Sequence, residues 1–183
     1  MKKISLIIAS LIFSVGMVVA QTSDTNVASH SVSVTVPEVA LIDVEGGELV
    51  TFVLAAPTEA GEGFEAPASD NNLWLNMTSI VEQGKTRNIT VQMNNALSTA
   101  LSLKVTATGD AGNGNGSFGT AGNTLIGTAA SDLITGIGSG YTGNGANNGY
   151  NLTYELVINE SNYADLYAIT QTVEVTYTLT DEN

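Results

Sequence analysis

The amino-acid sequence predicts an all-β fold, an antiparallel sandwich of two sheets. Three observations carry that expectation. Apolar and polar residues alternate strictly over Ser31–Val36 and again over Thr172–Leu179, the period of a strand with one face on a core and the other in water. Similar short alternating segments recur between these two ends, and no convincing amphipathic helix interrupts them. Glycine, proline, asparagine and aspartate gather between the segments, as turns require. Seven or more short strands joined in this way read as a sandwich.

Taken in order, the predicted strands are Ser31–Val36, Val39–Val44, Leu49–Leu54, Leu73–Thr78, Asn88–Met93, Ala100–Ala107, Tyr150–Ile158 and Thr172–Leu179. In Asn88–Met93, Ile89, Val91 and Met93 share one face while Thr90 and Gln92 share the other. Leu101, Leu103, Val105 and Ala107 form an inward row in the next strand, opposite Ser102, Lys104 and Thr106. Tyr150, Leu152, Tyr154, Leu156 and Ile158 repeat the pattern. These are strands with one buried face. A single helical turn is expected near Asn162–Leu166.

Two stretches break the alternation. Ala55–Asn72 carries Pro57, Pro67 and several acids and reads as a loop. Gly109–Gly149 holds 13 of the chain's 19 glycines and is expected as a long Gly/Asn-rich loop insertion on the sandwich. A structureless loop of that length is unusual in a compact domain, so short strands are expected inside it at Thr124–Ile126 and Leu133–Ile137. Within it, Gly119–Gly127 and Thr128–Gly136 resemble the calcium-binding nonapeptides of repeats-in-toxin proteins. Their sixth positions are Thr124 and Leu133, where the motif needs the carboxylate oxygens that calcium prefers. No metal ligation is therefore expected from them.

The chain begins as an exported protein does. Lys2 and Lys3 precede an apolar run, Ile4–Val15, and Val18, Val19 and Ala20 form a small-residue cleavage site. Residues 1–20 are thus expected to be a signal peptide, and 21–183 a single sandwich domain. No stretch reaches the roughly 20 apolar residues of a membrane-spanning helix. Cysteine is absent, so the core must stabilise the domain without disulfides. The mature chain is expected in the periplasm, at the cell surface or outside the cell. Loss of the leader leaves three basic residues against 18 acidic ones, a net charge of −15. Such a surface repels nucleic-acid phosphates and anionic lipid alike.

Catalytic constellations are missing. His30 is the one imidazole, and it sits in an alternating segment as an ordinary strand residue. The glycine-rich stretch holds no Lys or Arg and so makes no phosphate loop. Zinc would need cysteines or several histidines. The 18 carboxylates contain no pair that the sequence distinguishes for glycoside hydrolysis. The chain reads as a non-enzyme without a cofactor. Among the aromatics, Trp74 between Leu73 and Leu75 reads either as a core plug or as a sugar-stacking platform. Tyr141, on a glycine turn, is the better candidate for exposure.

The opening His30–Pro37, followed by Val39–Val44, a Gly46-Gly47 turn and Leu49–Leu54, resembles the start of secreted pilin-type domains. The closing Thr172–Leu179 is similar to their final strand. The nearest group is the spore coat protein U and archaic chaperone–usher pilin superfamily, with small exported proteins of Bacteroidetes type beside it. The resemblance implies an immunoglobulin-like, pilin-like sandwich that serves as a structural, non-catalytic subunit of a surface filament or coat. It also implies a periplasmic chaperone and self-association by strand donation. Within residues 21–36, Ala28, His30, Val32, Val34 and Val36 would point into an acceptor groove. Val173, Val175, Tyr177 and Leu179 would line the acceptor edge. This chain departs from the group in lacking a disulfide, in its short segment before Ser31 and in extending past Tyr177. The alternative is a monomeric secreted module that binds glycans or a cell surface, with Trp74 and Tyr141 as contacts.

Overall fold

A computed structural model of the chain describes residues 26–47 and 49–182. The expected signal peptide, 1–20, lies outside the described residues. Two compact units are present, one ending at Thr35 and one starting at Val36.

The second unit is the expected antiparallel sandwich. Its strands are β1 (Val39–Glu45), β2 (Asp70–Ile80), β3 (Arg87–Met93), β4 (Leu101–Asp110), β5 (Asn115–Gly116), β6 (Thr120–Ala121), β7 (Asn123–Ile126), β8 (Ser131–Ile137), β9 (Gly140–Tyr141), β10 (Tyr150–Ile158) and β11 (Val175–Asp181). The first sheet runs β5-β9-β2-β10-β4-β7, with β1 also paired to β2; the second runs β11-β3-β8-β6. β1 occupies one side of β2 from Trp74 to Ile80. β10 pairs with Leu75 and the residues before it, and β9 pairs with Thr78 and Ser79, so these two share the other side end to end. A 3-10 helix, Glu160–Asp165, links β10 to β11, with the Asn159 side chain capping it.

The core is the sum of the inward rows. Leu75, Ile89, Val91, Val105, Ile134, Ile137 and Leu152 are wholly buried, each contributing about 1.5–3 kcal/mol relative to exposure. Of the predicted rows of β3, β4 and β10, Ile89, Val91, Met93, Leu103, Val105, Ala107, Tyr150, Leu152 and Tyr154 form this core, while Leu101, Leu156 and Ile158 are half-buried.

Four expectations are corrected. Gly109–Gly149 is not one long loop: the short strands expected at Thr124–Ile126 and Leu133–Ile137 lie within β7 and β8, the stretch also supplies β5, β6 and β9, and its Ile126, Leu133, Ile134 and Ile137 are buried in the core. Glycine serves close backbone approach here. At Gly116, φ is +119° and a Cβ would lie 2.4 Å from the Cα of Gly140; at Gly149, φ is +70° and a Cβ would lie 2.2 Å from the Leu75 carbonyl oxygen. Residues 31–36 form no strand. Leu49–Leu54 likewise forms none, although Val50 and Phe52 pack against the core while Leu49 and Val53 stay exposed. Alternation records which face a segment can bury, but a strand also needs a neighbouring backbone, and residues 49–58 make no hydrogen bond among the described residues. The final strand starts at Val175, not Thr172, because the Glu174 backbone is held by Asn94 through both its N–H and its carbonyl.

A buried arginine ties the two sheets together. Arg87, first residue of β3, donates from Nη1 to the carbonyls of Val39 and Ile80 (the latter at 3.1 Å) and to Ser79 Oγ, and from Nε to Asp181 Oδ1 at 2.8 Å. One side chain thus joins β1, β2 and β11. Its five donors in a fixed fork make arginine suited to this and lysine not.

Candidate functional site

Two places on the described residues carry features beyond folding. The first is the pair of edges where the sheets meet. Among the described residues, β1 pairs as a strand with β2 and β11 with β3. Arg87 joins them near Val39 and Asp181. Away from that clasp, Ile42 on β1 and Val175, Tyr177 and Leu179 on β11 are half-buried against the core, with Val173 continuing the β11 row just before the strand. The four residues expected for an acceptor edge therefore share one face of one edge. Tyr177 anchors that row: its hydroxyl lies 2.5 Å from that of Tyr154 on β10. Burial raises the pKa of both phenols, and Tyr154 adds to the rise at Tyr177.

Ala28, His30, Val32, Val34 and Val36 are all exposed, at 75% for Val32, 81% for Val34 and 71% for Val36, and none lies in a strand.

The second place is the outer face of the first sheet. Leu73 and Leu75 point into the core, so Trp74 between them points out, half-buried. It pairs with Glu45 on one side and Asn151 on the other. It is not the core plug. Trp74 lines a shallow recess of about 630 Å³ together with Asn71, Asn72, Thr108, Asn147 and Asn151. Tyr141 is 52% exposed and faces the same side, in a row with Thr78 and Leu41. Four residue steps along β2 separate that row from Trp74, about 13 Å of strand. Between them, Asn76 is buried and holds the 143–149 turn by donating from Nδ2 to the Gly145 carbonyl at 3.1 Å. The structure thus places the two expected aromatic contacts on one face but not in one recess.

Sequence reasoning missed Arg87 and the asparagines around Trp74. The Arg87 signal was present, a lone cation opening an alternating strand in a chain with so few. The asparagines lie at the start of β2, in the 143–149 turn and on β10, and nothing local links them.

A second recess, about 600 Å³, lies under Phe64 and Pro67 beside Lys104 and Glu155. Lys104 and Glu155 in it form a 2.8 Å ion pair, and Glu65 and Glu160 line it as well. Among the described residues, no group of three His, Cys, Asp or Glu side chains is placed to hold a metal, and no helix is long and apolar enough to cross a membrane. In comparisons with known proteins, no family model, no curated protein and no solved structure matches the chain. The pilin-type resemblance therefore rests on the two ends of the sequence, and the fold on its own geometry.

Proposed function

We propose that this chain is an exported structural subunit, without catalytic activity, that associates with copies of itself by strand addition. The observation that carries the reading is a pair of complementary unfinished surfaces. Residues 32–36 expose a valine at every second position and form no strand, while β11 is an edge whose inward row is only half-buried. An unpaired edge accepts another chain's backbone readily, and alternate side chains then set the register. Residues 28–36 of one copy would add to β11 of the next, bringing Val32, Val34 and Val36 beside Val175, Tyr177 and Leu179. Burying each valine contributes about 1.5 kcal/mol. Donor and acceptor are different surfaces, so the contact is head-to-tail and builds open filaments. The absence of a site for nucleophile, base or phosphate in the sequence supports the non-catalytic half of the reading.

The test is the assembly state of the mature chain by light scattering and negative-stain imaging. The intact chain is expected to form filaments or a ladder of oligomers. Removal of residues 21–36 is expected to leave a folded monomer, and Val34→Asp to weaken assembly at least tenfold. An intact chain that stays monomeric, or a truncated one that assembles unchanged, rules the proposal out.

A further inference from the structure

We infer that the recess around Trp74 is a binding site for a neutral carbohydrate, a function separate from assembly through β11. The argument begins with direction. Alternation along β2 sends Trp74 outward on a sheet whose inward face is already complete, so its indole ring is not needed to fill the core. A half-buried outward indole beside a shallow recess is an apolar platform with nothing stacked on it among the described residues.

The polar groups around the platform are then decisive. Asn151 donates from Nδ2 to the carbonyls of Asn71 and Leu73, at 2.7 and 3.2 Å. Its amide is thereby fixed in orientation, and its Oδ1 has no partner among the described residues. Asn72 donates from Nδ2 to Asp70 at 3.1 Å, again leaving Oδ1 uncommitted. Asn147 has a left-handed backbone, φ 66°, and its carbonyl accepts from Asn113 at 3.2 Å. Its side-chain amide makes no hydrogen bond among the described residues, which leaves both donor and acceptor free. The recess therefore offers two preoriented acceptors and one uncommitted amide around an aromatic surface.

A pyranose ring matches this set. One face is a patch of C–H groups that stacks on indole, and its rim of hydroxyls both donates and accepts, as amides require. Charge selects the class further. No Lys or Arg lines the recess, and the mature chain is strongly acidic, so uronic or sulfated glycans are repelled. A peptide would bring backbone groups in an extended line, which a compact recess with a single aromatic does not match. Tyr141, outside the recess on the same face, is not required.

Trp74 is the chain's single tryptophan, so its fluorescence reports the site directly. The mature protein is titrated with a soluble β-glucan, a mannan, a xylan and a dextran, and run in affinity gels containing the same polymers. At least one neutral polymer is expected to shift the emission saturably and to retard the protein. Trp74→Ala is expected to abolish the retardation. Asn147→Gly, which keeps the left-handed backbone without strain, is expected to weaken binding about fivefold, the equivalent of losing one net hydrogen bond of roughly 1 kcal/mol. Circular dichroism checks that both variants fold. Emission and mobility unmoved by all four polymers overturn the inference, as does retardation that survives in folded Trp74→Ala. Binding to an anionic glycan or to a peptide instead of these polymers overturns it as well.

Discussion

Replacing Arg87 with alanine is expected to lower the unfolding free energy by about 3 kcal/mol or more, read as a fall in the denaturant midpoint at neutral pH. Arg87 is 5% exposed and serves the Val39 and Ile80 carbonyls, the Ser79 hydroxyl and Asp181. Each acceptor left unpaired in a partly buried place costs about 1–3 kcal/mol, and the missing side chain leaves a void between the sheets. The charge itself is the smaller part. Asp181 is 80% exposed and returns to water when the arginine is gone. Asp181→Asn should therefore cost less than about 1 kcal/mol. Arg87→Lys should recover little, because one ammonium cannot reach carbonyls on β1 and β2 together with Asp181. If the alanine variant unfolds with the parent, the clasp does not hold the sheets.

The second large effect is expected in alkaline solution. Burial raises the pKa of Tyr150, Tyr154 and Tyr177 above the ordinary tyrosine value of 10.0, most strongly at Tyr150 and Tyr177. The negative charge of Asp110 adds to the rise at Tyr150. Tyr150 is also fixed by donating its hydroxyl to the Phe118 carbonyl. A raised folded-state pKa means that the fold holds its protons after the unfolded chain has begun to lose them. The stability that these groups supply is thus fully present below pH 10 and is lost as pH rises above it. While all three stay protonated in the fold, the loss approaches about 4 kcal/mol per pH unit. Denaturant midpoints followed upward from about pH 9 should be flat at first and then fall steeply. Converting Tyr154 and Tyr177 to phenylalanine should cut the slope to about a third. A parent midpoint that does not fall above pH 10 would show that these phenols are not held neutral by the fold.

What the sequence determined by itself was the material of the fold. Period-two alternation identified β3, β4 and β10 and the face that each buries, and it located β1 and β2 as strands, because burial of one side of a pleated strand is written locally, residue by residue. It also placed the half-buried row of β11. Other features depended on partners remote in the chain. Residues 31–36 alternate as strictly as β3 does, and residues 49–54 half-bury every second side chain, yet neither forms a strand, since a backbone ladder requires a neighbour that local pattern does not name. Gly109–Gly149 read as an insertion because glycine carries no hydrophobic period. Only the tertiary structure shows backbones passing so closely at Gly116 and Gly149 that a Cβ would not fit. Arg87 and the Trp74 recess belong to the same class. Their meaning lies in carbonyls and amides brought together from β1, β2, β10, β11 and the turns, and such convergence exists only once the sheets have packed.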